Sequence, residues 1–248
     1  MYNKVNPLCY PCVLNQALST AKHLDLCESD TKDLLSVAMN YLEVSRYKPM
    51  MVQHIVRYIT DVAQAKSGKT DVYHEVKLFS HKIAQKYAEQ MRTQIPHHPQ
   101  PLQYAIKLAA AGNIIDFGAK SHGDLDIEAE LQQVDNLDFS CFDFDALNSR
   151  LSQAKNLLYI CDNVGELDFD KLLMEQIVKD FPNLQIYAAF RHTPIINDAT
   201  LEDAHQAGIA DFATVLSSGS VYPGTILAEA SSEFLDLYKK ADVIIAKG

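Results

Sequence analysis

The sequence has no tryptophan, and its 9 glycines and 9 prolines in 248 residues are too few for a collagenous or low-complexity chain. Cysteine is scarce. Five residues, an odd number, exclude a fully paired disulfide framework. The opening residues lack the pattern of a secretory leader, so reduced thiols and a cytoplasmic setting are expected. Positive charge is in deficit. Lys and Arg total 22 against 32 Asp and Glu, a net charge of −10, which removes the electrostatic reason to bind nucleic acid or an anionic membrane. No apolar run approaches the roughly 18 residues that cross a bilayer. What is present suits a globule: 48% of residues are hydrophobic, enough for a core without staples. At about 150 residues per domain, the length allows one or two domains.

Several signatures are also missing. There is no Gly-x-x-x-x-Gly-Lys-Ser/Thr phosphate loop, no Gly-x-Gly-x-x-Gly and no Gly-x-Ser-x-Gly elbow. Up to residue 111 the apolar residues recur at helical spacing. Leu35, Ala38, Met39 and Leu42 follow Ser29 and Asp30, which suit an N-cap. Ile55, Val56, Ile59 and Val62 form a second stripe, ended by Ser67-Gly68-Lys69. A charged amphipathic stretch runs from Tyr73 to Gln94. Pro96 to Pro101 cannot be helix interior, and Leu102 to Ala111 reads as a short helix with Gly112 as its left-handed stop. Beyond this the pattern alternates. Short apolar runs at 157–161, 184–190, 212–216 and 243–246 are separated by helical segments at 172–181 and 201–207. Such alternation predicts right-handed βαβ units. The expectation is an α/β fold: a helical region, 1–111, packed on an α/β core, 112–248, whose largely parallel sheet carries flanking helices in three layers.

Ligands of open parallel sheets bind at the carboxyl ends of the strands. The first run is followed by Asp162, Asn163 and Glu166, and the second by Arg191, Asn197 and Asp198. Ser218 and Gly219 follow the third, and Lys247 the fourth. Carboxylate and carboxamide oxygens suit a hard divalent ion, and Arg191 and Lys247 suit phosphate oxygens. The simpler alternative makes Asp162 and Asp198 helix N-caps. Cys27 and Cys161 are expected as small core residues, and His97 and His98 as solvated loop residues.

At these strand ends the sequence resembles the DUF89 proteins, the metal-dependent damage-control phosphatases. Asp162-Asn163-Val164-Gly165-Glu166, with Asp170 after it, is similar to their Asp-Asn-x-Gly-Glu signature. The stretch from Arg191 through Pro194-Ile195-Ile196-Asn197-Asp198-Ala199-Thr200 resembles the second family block, with Glu202-Asp203-Ala204 following. Ser218-Gly219 with Pro223-Gly224, and Ala241 to Gly248, resemble the third and fourth. Gly112 to Asp116 and Cys9-x-x-Cys12 resemble the short, stand-alone branch. Asp71, Tyr73 and Lys77 fall where the family has Asp-Pro-Tyr and a later Lys, with Val72 in place of the proline.

The resemblance implies hydrolysis of small phosphate monoesters, such as sugar phosphates or damaged or surplus phosphometabolites. It implies a divalent metal (Mn²⁺, Co²⁺, Ni²⁺ or Mg²⁺) held by Asp162, Asn163 and Asp198, with Asp162 and Asp198 catalytic. It places Arg191, Asn197, Lys247, Glu166, Asn113, Asp116, Ser218 and Gly219 around the substrate. The nucleophile is either water or Asp162 itself. In that family the closing Lys-Gly continues into a stretch with Asn and an aromatic residue that contributes to the pocket, whereas this sequence ends at Gly248. Two other classes stay open at this point: a non-catalytic metabolite-binding protein, and a carboxyl methyltransferase using S-adenosylmethionine, which the metal-ligating set argues against.

Overall fold

The computed structural model describes residues 5–115, 131, 133–137 and 139–248. Helices α1 (Cys9–His23), α2 (Glu28–Val44) and α3 (Val52–Ser67) pack around Val13, Ala17, Leu34, Ala38, Leu42, Ile55 and Ile59. The buried row of α2 is Leu34, Ala38 and Leu42, an i, i+4 ridge starting one residue before the expected stripe. Met39, expected inside, is exposed, and Leu35 is half-buried. Helix α2 also starts earlier than expected. Cys27 occupies the N-cap and is exposed rather than core, so Ser29 and Asp30 lie in the first turn. Asp30 there meets the positive end of the helix dipole and an ion pair from Lys66 at 2.6 Å.

Helix α3 ends where the sequence breaks its pattern, at Gly68, whose φ of +70° is left-handed. Helix α4 (His74–Gln94) then runs from one core to the other. Val76 packs on the α1–α3 cluster, while Ala84, Ala88 and Met91 belong to the cluster under the sheet. Pro101 opens α5 (Pro101–Ala111) at a position where no donor is needed. Gly112 is not the left-handed stop that was expected. Its φ is −52°, and the chain continues into a 3₁₀ turn over Gly112–Ile115.

After α6 (Phe144–Leu151) come strand β1 (Asn156–Ile160), α7 (Leu167–Asp180), β2 (Gln185–Phe190), α8 (Leu201–Ala207), β3 (Thr214–Ser217), α9 (Ser232–Lys240) and β4 (Val243–Ala246). The four described strands form one parallel sheet in the order β3-β2-β1-β4. Leu157, Tyr159, Ile186, Ala188 and Phe190 face the layer containing α4, α5 and α7. Leu158, Ala189 and Leu216 face Phe234 of α9 on the other side. Helices on both faces explain why the strands read as apolar runs rather than as alternation. The chain winds from β1 outward to β3 and then crosses back to place β4 on the far side of β1. That reversal is a topological switch point, where ligands of such sheets bind. Among the described residues no helix is long and apolar enough to cross a membrane.

Candidate active site

The loops leaving β1 and β2 are stitched together by their backbones. The amide of Ala199 donates to the carbonyl of Asp162 at 2.7 Å, and that of Val164 to Asn197 at 3.0 Å. Asn163 and Asp198 pair as an isolated antiparallel bridge. These bonds hold Asp162, Asn163 and Asp198 side by side although 36 positions separate the two aspartates.

Arg191, 2% exposed, lies beneath them. Its Nη2 donates to Asp162 Oδ1 at 2.8 Å, its Nε to Asp198 Oδ2 at 2.6 Å, and its Nη1 to Thr225 Oγ1 at 3.0 Å. One guanidinium thus gathers two carboxylates. The amide of Gly224 adds a bond to the same Asp198 Oδ2 at 3.0 Å. Asn163 Nδ2 donates to Asp162 Oδ2 at 3.0 Å and to Glu166 Oε1 at 2.9 Å, which turns its amide oxygen the other way. Burial and the neighbouring Asp198 charge raise the pKa of Asp162 to about 6 against the pull of Arg191. Burial raises that of Asp198 as well, although Arg191 opposes it.

A second ionic group adjoins the first. Lys247, placed by β4 at the switch point, reaches Glu166 Oε2 at 2.6 Å and Asp170 Oδ1 at 2.9 Å, and donates to the Ala109 carbonyl at 2.8 Å. The Glu166 contact is close but poorly directed, an ion pair more than a hydrogen bond. Tyr159 donates to the same Asp170 oxygen at 2.6 Å. Burial raises Asp170 to about 6 despite Lys247. Burial works against the charge on Lys247, but Asp170 and Glu166 outweigh it and hold its pKa above the usual lysine value.

The remaining expected residues are placed less evenly. Asn197 is buried, with its backbone carbonyl on Val164. Ser218 is buried and donates to the Phe190 carbonyl at 2.9 Å. Gly219 has φ +77°, and a Cβ there would lie 2.6 Å from the Ser231 nitrogen. Asn113 is exposed, and Asp116 lies outside the described residues. Cys9 and Cys12 are free thiols at the start of α1. His98, expected as a loop residue, stacks on Tyr104 at 4.6 Å and meets Asp135. Lys77, 3% exposed, bridges Asp71 at 3.0 Å and Asp203 at 2.9 Å. It lines a cavity of about 530 Å³ with His81, Val164, Pro194 and Thr200, beside the stitched loops.

The N-cap alternative fails. Asn163 and Glu166 precede the turn and helix after β1, and neither makes a side-chain cap bond. Helix α8 is capped by Thr200 and Asp203. The roles of Thr225 and Tyr159 carried no sequence signal, since single hydroxyls outside any motif look like packing residues.

The model of the damage-control phosphatase ARMT1-like domain matches residues 5–248. The chain belongs to this family. An archaeal damage-control phosphatase from Pyrococcus horikoshii is 40% identical over 73% of this chain and 61% of its own length. Another, from Archaeoglobus fulgidus, is 29% identical over 99% of this chain and 85% of its own length. The crystal structure of a DUF89 family protein from Pyrococcus horikoshii superposes with a TM-score of 0.86 and 31% identity, covering 100% of this chain and 85% of that one. This damage-control phosphatase family member is a metal-dependent phosphatase with the α/β fold of that relative.

The residues present suit the metal. Among the described residues no three His, Cys, Asp or Glu side chains form a ready metal cage. The available donors are two carboxylates and one amide, all oxygen, as a hard divalent ion prefers. The bonds from Arg191 Nε and the Gly224 amide both fall on Asp198 Oδ2, leaving Oδ1 clear of them. Among the described residues the ion-pair partners of Asp162, Asp198, Glu166 and Asp170 are Arg191 and Lys247, so with four ionised acids this group carries a formal charge of −2. A divalent cation balances that charge.

Proposed function

We propose that this protein hydrolyses small phosphate monoesters, with Asp162, Asn163 and Asp198 holding the divalent metal. The observation that supports this reading best is the Arg191 guanidinium, which holds two buried carboxylates together at the ends of β1 and β2. When bound, the ion supplies positive charge where the phosphate oxygens gather. Mn²⁺, Co²⁺, Ni²⁺ and Mg²⁺ all suit this oxygen set.

Arg191 keeps Asp162 and Asp198 in one orientation, and with little exposure it acts on the substrate through them. Lys247 does the same for Glu166, whose carboxylate fixes the Asn163 amide. The cavity beside Val164 and Thr200 is the place for the leaving group, and its mixed lining of Lys77, His81 and Asp203 suits hydroxylated metabolites. Five unpaired thiols and the net charge of −10 favour a cytoplasmic setting and a small-molecule partner rather than nucleic acid.

Melting curves with Mn²⁺ and with a chelator test the metal set. Wild type gains RT ln(1 + [L]/Kd), about 2.7 kcal/mol at a hundredfold excess over Kd, and its Tm rises accordingly. Asp162→Ala and Asp198→Ala remain folded, lose turnover of a phosphomonoester panel, and gain much less Tm from Mn²⁺. Equal shifts in all three proteins would remove these residues from the metal site.

A further inference from the structure

Ile196 stands two residues before Asp198 in the loop leaving β2. Its φ of +38° lies in the left-handed region, which a β-branched side chain seldom adopts. Its side chain packs on the apolar cluster of α1–α3, not on the cores that flank the sheet. The neighbouring backbone is held from the opposite direction. Asn197 accepts from Val164, Asp198 donates to Ile195 at 3.1 Å, and Ala199 donates to Asp162.

Helix α3 grips the same loop from its side. Arg57 Nη1 donates to the Pro194 carbonyl at 3.3 Å and the Val221 carbonyl at 3.5 Å. Val221 belongs to the second loop that touches Asp198, through Gly224. A strained backbone persists only where its surroundings over-determine it, and here the two sets of contacts pull on either side of one residue.

We infer that Ile196 is a positioning residue: wedged into the α1–α3 cluster, it lets the helical region set the aim of Asp198. The inference rests on Asp198 being a metal ligand. The helical region then has a part in metal binding although it supplies no ligand. Contacts of this supporting kind change metal affinity by roughly 10–100-fold when removed.

Mn²⁺ affinity, followed by the electron paramagnetic resonance signal of the free ion, reads this without turnover. The series is Ile196→Val, Ile196→Ala and Ile196→Gly, with Ile59→Val as a control that trims the same cluster away from the loop. Affinity falls modestly for Val and by roughly 10–100-fold for Ala. Gly binds as weakly as Ala while melting no lower, because glycine accepts the positive φ. Ile59→Val lowers Tm and leaves affinity unchanged. Wild-type affinity in every Ile196 variant that folds, Val included, would overturn the inference. Asp198→Ala is measured alongside. If it too binds Mn²⁺ like wild type, the metal assignment itself has failed, whereas weak binding by Asp198→Ala with normal binding by the Ile196 series refutes only the wedge.

Discussion

At the scale of single residues, buried charge governs both stability and site geometry. Lys247 is the only cation drawn to Glu166 and Asp170 among the described residues, and both acids are fully buried. Truncating one partner of a buried ion pair strands the other. Lys247→Ala is therefore expected to cost about 3–5 kcal/mol in denaturant unfolding. A loss under about 1 kcal/mol, the range of exposed pairs, would show that water reaches the acids. His81 is a pH-dependent case. Its Nδ1 lies 2.8 Å from the buried Asp168, and that close ionic contact raises its pKa above the usual value, partly opposed by burial. The folded protein thus holds this proton more tightly than the unfolded chain does. The resulting stability is complete below about pH 6.5 and disappears as pH rises through the raised folded value. The stability difference between wild type and His81→Gln should shrink between pH 6 and 9. Parallel pH curves would refute the pairing.

At the scale of elements, turns and caps decide where side chains point. Gly219 is required by space as well as by its φ, because the N-cap of α9, Ser231, packs against it at a distance no Cβ tolerates. Gly219→Ala should lose at least about 1–3 kcal/mol and displace the start of α9. An unchanged Tm would mean that the loop relaxes freely. The strand-end residues were legible because a parallel sheet leaves only one edge for chemistry, and four apolar runs marked it. The pairing of Arg191 with both aspartates was not legible. It depends on a backbone bridge between Asn163 and Asp198 that no local propensity encodes. Free phosphate-binding cations were expected at Arg191 and Lys247, and both are turned inward onto acids. Helix α2 shows the same limit in its apolar face. A one-residue shift between Leu34 and Leu35 is decided by what packs opposite, not by periodicity.

At the scale of the whole molecule, α4 connects the helical cluster to the sheet. A helix of 21 residues is roughly 31 Å long at about 1.5 Å per residue, enough to lie in both cores. The two clusters should therefore unfold together. Lys82→Pro, at an exposed position near the middle of α4, removes a backbone bond and kinks the helix at a cost of about 3 kcal/mol or more. Calorimetry of this variant should show two transitions where wild type shows one. A single lowered transition would place the coupling elsewhere, in polar ties outside α4 such as His54–Glu229.

The strand order also sets a timetable for synthesis. β1 pairs with β4, and the Asp242 carboxylate that receives the Asn156 amide lies 86 residues downstream. At about 5–20 residues per second, β4 follows β1 out of the ribosome by roughly 4–17 s. During that interval β1, β2 and β3 can assemble, but one edge of β1 stays open to other chains. Lys247 arrives with β4, so Glu166 and Asp170 wait without their cation. In the finished fold Lys247 opposes the effect of burial on Asp170, so until β4 arrives a buried Asp170 has lost that opposition and holds its proton to higher pH. Among the described strands β4 is made last, and its arrival covers the open edge of β1 and brings a cation to Glu166 and Asp170 in one step, which makes this stretch of synthesis the one where chaperone capture matters most.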